Sequence, residues 1–416
     1  MEKSNVSKIV KDGLCSSCGV CVGACRNNCI SFLKNRNRAI PVVNESACNT
    51  CGLCYAVCPG KGASLEESAV RLFPKSVPNI FAGRYVKTYA GFSKDEDVRF
   101  HSASGGMVTQ MLIFLLERKI IDGALVVRFN RDNPFDPEPF IAKSRDELLQ
   151  SRGSKYMIIS YDSVINEIAK FGKRIVVVGL PCQIQGFRNL SKVNKSVREL
   201  VVGYFGLYCS CTKVNSSVNY YIWRYHIKRD KVKFFSFRDD GCYGFMKFSD
   251  QSHSPIKKIP YHVYWKGTRG FFVNKRCALC SDHFAELADI SFGDSDHQPY
   301  VSDHIGISSL IVRNDYWDEI IRKAAEENYV YVEETTMEEI TDKQIYAKIY
   351  KKGKGLKAAM RLRELFCLKN PYYGVPNNVD INFKDLITSA IRAIMKEMGQ
   401  YKIVWPLIKI LDTCKK

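Results

Sequence analysis

Apolar and polar positions change rhythm along this chain. Within residues 101–119, Met107, Val108, Met111, Leu112, Leu115 and Leu116 recur at the spacing of one buried helical face. Ser104 is the expected N-cap, with Gly105 and Gly106 opening the first turn. Apolar runs at 124–129, 174–178, 200–207, 288–292 and 307–312 predict short buried strands. Helical patterns at 162–171 and 316–327 alternate with them, which predicts an α+β chain whose α/β body carries a mixed sheet. Ahead of that body, residues 73–100 hold Pro74, Pro78, Gly83 and Gly91 and are expected to form a turn-rich connection. Behind it, helical periods dominate at 337–352, 356–368 and 383–398. The stretch 401–411 is apolar with lysines interspersed, and Pro406 interrupts any long helix there. The expected division is therefore 1–70, 85–335 and a helical extension over 336–416.

Composition adds cysteine to this picture. The chain has 416 residues and 17 cysteines, nine of them before residue 59. A chain this long is expected to form two or three domains with a substantial core. The start, MEKSNVSKIVKDG, lacks the apolar core of a secretory signal, and no run of 18 apolar residues occurs, so a cytoplasmic location is expected. Disulfides are then disfavoured and metal ligation is the leading use of the cysteines. The formal charge of +19 suits an acidic partner protein, an anionic small molecule or an anionic membrane surface. No helix-turn-helix or RNA-binding motif accompanies it, so no nucleic acid partner is expected.

Two copies of one cysteine pattern stand 33 residues apart: Cys15, Cys18, Cys21 and Cys25, then Cys48, Cys51, Cys54 and Cys58 followed by Pro59. Three close thiolates converge on one iron–sulfur cube and the fourth crosses to the other. The expected sets are Cys15, Cys18, Cys21 with Cys58, and Cys48, Cys51, Cys54 with Cys25. Gly19 and Gly52 are expected to let backbone approach the sulfides. Zinc motifs instead pair two cysteine doublets on one ion. The segment resembles a bacterial two-cluster ferredoxin over about residues 8–68, with Arg26 where a proline would follow the fourth cysteine; Cys29 is extra and has no assigned role.

Further cysteines stand at the ends of predicted strands. Cys182 follows VVVGLP, Cys209 ends GLYC, and Cys277 and Cys280 form a Cys-x2-Cys before 288–292. Four thiols from three loops can meet at one sheet edge and hold a third cluster; Cys211 competes with Cys209, and a buried free cysteine is the plainer use of any one of them. Cys242, Cys367 and Cys414 read as structural or exposed thiols. The Ser-Gly-Gly start of the 101–119 helix suits a pyrophosphate or is only a cap.

With these residues in hand, the body resembles the beta subunit family of coenzyme F420-reducing hydrogenases and F420-linked formate dehydrogenases. The matching strings are SASGGMVTQML (102–112), SRGSKYM (151–157), VVGLPCQIQGFR (177–188), GLYC (206–209) and CALCSDHFAELADISFGD (277–294). The resemblance implies an FAD-binding flavoprotein with a 4Fe-4S cluster beside the flavin. It makes Cys182, Cys209, Cys277 and Cys280 the third-cluster ligands. Ser104, Gly105, Gly106 and Thr109 would cradle the FAD phosphates, and Gly153, Ser154, Lys155, Gly293 and Asp294 would line the ring. A cation such as Lys155 near the flavin would stabilise its reduced form, unless it is only a solvated lysine.

The implied activity is an oxidoreductase passing electrons between a two-electron carrier, F420 or another, and one-electron clusters, with a ferredoxin or reductase as partner. A cluster-only relay subunit is the alternative. His101 and His283 are acid–base candidates, each more simply structural. The extension is expected to be either a helical cap on the body or a peripheral membrane contact.

Overall fold

The computed structural model describes residues 4–34, 37–268, 270–374 and 379–413; Cys414 lies outside them. An eight-stranded sheet organises the body. Its strands are β1 (Lys87–Ser93), β2 (Gly123–Phe129), β3 (Pro137–Ala142), β4 (Ile175–Gly179), β5 (Val201–Leu207), β6 (Ile290–Asp294), β7 (Ser308–Val312) and β8 (Val330–Glu334). In space they run β8-β1-β7-β6-β5-β4-β2-β3. The central β6, β5, β4 and β2 are parallel, and antiparallel strands flank them on both sides. Strands inside a sheet covered on both faces bury both faces, which is why the parallel β4 and the antiparallel β7 contain no exposed position.

One face packs against α1 (Met107–Glu117) and α3 (Asp315–Glu326) through Met111, Phe114, Trp317 and Ile321. The other packs against α2 (Pro181–Leu190) through Ile184 and Phe187, together with Val20, Ala24 and Val57 of the N-terminal segment. The cysteine-rich segment is thus built into the core of the body. A separate three-stranded sheet, Phe234–Ser236, Phe245–Ser249 and Pro255–Pro260, closes over an aromatic cluster including Tyr220, Phe235, Phe248 and Trp405.

Several sequence expectations need correction. Helix α1 begins at Met107, not after Ser104: its N-cap is Gly106 at φ +75°, a left-handed backbone that glycine adopts without penalty. Residues 73–100 are not a mere connection, because β1 lies there between β8 and β7 and a helix follows at Glu96–Phe100. Edge strands β3 and β8 carry no apolar run; their pairing with β2 and β1 makes them strands. The helix expected at 162–171 is confined to Glu167–Phe171, and that at 337–352 breaks into Met337–Asp342 and Ile345–Tyr350. The rest of the extension is α4 (Lys354–Leu365), α5 (Phe383–Met398) and α6 (Trp405–Thr413), with Pro406 in the first turn of α6, where proline is tolerated. No helix among the described residues is long and apolar enough to cross a membrane.

Candidate iron–sulfur and flavin site

Cys25 and Cys58 cap two short helices, Cys21–Ala24 and Leu53–Val57, that cross within the N-terminal segment. Each fourth thiol comes within electrostatic reach of the other copy's triplet. Cys58 feels the charges of Cys15 and Cys18, and Cys54 those of Cys25 and Cys51. Backbone N–H groups of Ser17 and Gly60 donate to the sulfurs of Cys15 and Cys58, each at 3.4 Å. Cys29 Sγ lies 3.3 Å from Cys25 Sγ. Gly19, expected to approach a sulfide, does something else: at φ +85° its missing Cβ would sit 2.4 Å from the Asp162 nitrogen, so it lets the segment dock on the body. Tyr161 N–H donates to the Cys18 carbonyl there at 3.0 Å.

The second gathering of thiols lies beyond the carboxyl ends of β4 and β5. Cys182 starts α2, Cys209 follows β5, and Cys277 and Cys280 come from the 3-10 turn Lys275–Leu279. All four line one small cavity, and Cys211 does not. Ser16 and Pro59 of the N-terminal segment line it too, which places the Cys15/Cys18 loop against Cys182. Burial pushes the thiols of Cys182, Cys209 and Cys277 upward. Facing them are two buried cations, Arg276 and Lys351. Arg276 donates to the carbonyls of Leu279 (2.6 Å) and Pro59 (3.4 Å) and to Tyr373 (2.9 Å). Lys351, 1% exposed, has no carboxylate partner among the described residues; Cys280, Cys209 and Cys277 surround it. A buried ammonium facing only neutral thiols is unfavourable, whereas four thiolates on a 4Fe-4S core supply net negative charge. The orphaned hydroxyls of Ser16 and Ser281 line the same cavity and are free to donate to sulfur. These residues fit the cluster.

They do not fit zinc. Tetrahedral zinc holds its thiolates about 3.8 Å apart, given Zn–S near 2.3 Å. Among the described residues no three thiols lie within 4.8 Å of one another; the only such group of His, Cys, Asp or Glu is His101, Asp239 and Asp240. That group is neutralised internally, since Lys247 reaches both aspartates at 2.9 Å and His101 Nδ1 sits 2.7 Å from Asp239. His101 is thereby a carboxylate partner. Burial drives the His283 pKa down to about 3, and its Nε2 contacts Gln344 at 3.1 Å, so it is a neutral structural ring.

Much of the expected flavin lining converges on Arg238, which no sequence pattern singled out. Asp294 binds it bidentately (3.1 and 2.9 Å), and a Cβ on Gly153 would meet its carbonyl at 3.0 Å. Gly306 joins this region to Ser104 and Cys242. Some lining groups are already engaged. Ser104 donates to the Ile307 carbonyl (2.8 Å), Gly105 N–H to Ser308 Oγ (3.0 Å), and the Tyr208 ring fills the space beside Gly293. Lys155 donates to the carbonyls of Ser151, Arg152 and Gly153 at 2.6, 2.7 and 3.1 Å, against burial and Arg152, which push its pKa down to about 7. Gly106 and the half-turn to Thr109 keep their helix-start amides, and Ser102 and Ser295 hold buried hydroxyls without partners. A stack of Tyr243, Tyr261 and Trp265 (5.3 and 5.8 Å between centroids) flanks Arg238. The helix start and this aromatic shelf fit a dinucleotide, while Ser104, Gly105 and Gly293 serve internal packing.

Such a fold, with thiol sets in contact at the ends of parallel strands, defines an iron–sulfur electron-transfer protein. Residues 88–166 match "Coenzyme F420 hydrogenase/dehydrogenase, beta subunit N-term", residues 172–338 match its "C terminus", and residues 14–62 match "4Fe-4S dicluster domain". The chain belongs to the coenzyme F420 hydrogenase/dehydrogenase beta subunit family, with a dicluster domain at its front. It is 27% identical over 341 residues to the coenzyme F420-dependent sulfite reductase of Methanocaldococcus jannaschii, covering 77% of this chain and 47% of that protein, so it spans about half that relative's length. It is 27% identical over 250 residues to the coenzyme F420 hydrogenase subunit beta of Methanothermobacter thermautotrophicus, covering 59% of this chain and 83% of the relative. A chain of the F420-reducing [NiFe] hydrogenase complex from Methanosarcina barkeri shares the fold, with TM-score 0.56 and 22% identity over 73% of this chain and 99% of the other.

Proposed function

We propose that this chain is an oxidoreductase subunit that exchanges electrons between a two-electron carrier, F420 or another, and single-electron 4Fe-4S centres that serve a redox partner protein. In this reading Cys15, Cys18, Cys21 and Cys58 hold one cluster, Cys48, Cys51, Cys54 and Cys25 a second, and Cys182, Cys209, Cys277 and Cys280 a third. The observation that carries it is the buried Lys351 and Arg276 facing four converging thiols, a pairing that makes electrostatic sense only with an anionic core among them. The contact between Ser16 and Pro59 and that cavity favours passage from the third set into the N-terminal pair.

FAD is part of the proposal. Bound flavin supplies the junction between two-electron and one-electron chemistry. For their part, Gly106 and Thr109 offer helix-start amides to its phosphates, and Arg238, held by Asp294, keeps a fixed positive charge beside the aromatic shelf. The named relatives supply F420 as the carrier to try first.

The test is anaerobic purification with iron, sulfide and flavin analysis. About twelve irons and one FAD per chain are expected. Eight irons without flavin would leave a cluster-only relay and remove the enzyme reading. Bleaching by reduced F420, NADH, NADPH or reduced ferredoxin, tried in turn, identifies the carrier.

A further inference from the structure

The third thiol set has a second neighbour, built from the C-terminal extension. Helices α4 and α5, with residues 345–350, wall a cleft of about 1060 Å³ against the loop of Cys277 and Cys280. Pockets for small molecules run roughly 300–1,000 Å³, so this one admits a molecule of nucleotide size. Ala278 and Leu279, between the two cysteines, form part of its wall.

Helix α5 is amphipathic but turned inside out. Phe383, Ile387 and Ile391 face solvent at 45–76% exposure, while Asp385, Ser389, Arg392 and Lys396 line the cleft together with Ile394. A surface helix ordinarily buries its apolar stripe. Here the polar face is turned inward, toward the cavity.

The inward cations form no ion pair with a carboxylate of any described residue. Lys396 is 8% exposed and makes no hydrogen bond or ion pair with any described residue. Arg392 stacks 3.7 Å from the Tyr350 ring centroid and has no carboxylate partner among the described residues. Of the nearby carboxylates, Glu397 is taken by Lys275 at 3.0 Å, and Asp385 accepts from the Asn382 N–H at 3.0 Å. Two neighbouring cations, one of them buried, are unfavourable without a counter-charge. Lys396 lies within electrostatic reach of Cys277 and Cys211, so a molecule held by it would sit beside the third thiol set.

We propose that the cleft binds an organic anion with a planar, apolar body, its charge on Lys396 and Arg392 and its ring among Tyr346, Tyr350 and Leu279. This binding site does not rest on the cluster reading above.

Pyridoxal 5′-phosphate, an aromatic phosphate bearing an aldehyde, is the probe. With an amine it forms an imine and releases water, and borohydride then delivers hydride to fix the label as a secondary amine. Burial, with Arg392 next, pushes the Lys396 pKa down to about 8, which raises its share of free amine. With the anaerobic holoprotein, one label per chain is expected, located by peptide mass spectrometry at Lys396. Arg392→Gln, with iron content unchanged, should lower that labelling about tenfold by removing one charge-assisted contact. Label scattered over exposed lysines, label concentrated on Lys155, or indifference to Arg392→Gln would each overturn the site. Label at Lys396 in protein carrying only eight irons would keep the site and remove the cluster reading; twelve irons with scattered label would do the reverse.

Discussion

Lys351 is the side chain on which the electrostatics of the third thiol set turn. Its ammonium is buried and surrounded by Cys280, Cys209 and Cys277, so it stabilises whichever redox state carries more negative charge. Replacing it by methionine should lower the proposed third cluster's reduction potential by roughly 70–100 mV, the size of one charge removed at about 7–10 Å in an effective dielectric near 20. A potentiometric titration followed by paramagnetic resonance reads this directly, and Lys351→Arg should restore most of it. Asp240 offers a test independent of the clusters. Burial would raise its carboxyl, but Lys258 (2.5 Å) and Lys247 (2.9 Å) outweigh it and hold it below the usual carboxylate range. Because the folded value is depressed, the stabilisation is present above the unfolded value near 4 and is lost as pH falls through the folded one. Asp240→Asn should therefore unfold at lower urea near pH 7, by about 1 kcal/mol. The gap to the parent protein should close below about pH 4.

At the scale of elements, Gly19 and α2 couple the cysteine-rich segment to the body. Asn194 Nδ2 donates to the Gly23 carbonyl at 2.8 Å, and Gly186 on α2 leaves room for Val20. Gly19→Ala places a Cβ against the Asp162 backbone in a left-handed conformation and should destabilise this docking by about 2–3 kcal/mol. Limited proteolysis should then cut within residues 70–85 sooner than in the parent, while iron content stays the same. Helix α5 and the stretch after it set a different problem. Beyond the outward stripe of α5, Ile403, Leu407, Ile410 and Leu411 are also exposed, with Lys384 and Lys402 nearby in sequence. The exposed stripe suits the membrane-contact expectation, while Trp405 and Ile408 pack the end of the extension onto the body as a cap does. Ile387→Asp with Ile391→Asp should abolish co-sedimentation with phosphatidylserine vesicles and leave iron content unchanged. Equal binding by parent and variant, or none by either, would return the extension to a cap.

For the whole molecule, Ser16 and Pro59 of the N-terminal segment line the third cavity, so the proposed function makes the segment and the body one electron path. Cys277→Ser should lower iron from about twelve to about eight per chain and leave the N-terminal pair reducible by dithionite, but no longer by the two-electron carrier. Cys211→Ser, from a thiol outside the cavity lining, should keep all twelve.

What the sequence alone determined is local and short in range. Tight cysteine spacings bring three thiolates to one cube whatever surrounds them, and strands buried inside the sheet announce themselves as apolar runs, as in β4, β5 and β7. Edge strands such as β3 and β8 carried no such signal, because neighbouring backbone rather than side-chain pattern makes them strands. Tertiary structure alone decided that Cys209 rather than Cys211 lines the cavity, that Gly19 serves docking, and that Arg238, Lys351 and Lys396 face the sites. A cation's role depends on which distant loops neutralise it, and sequence spacing carries no record of that neighbourhood.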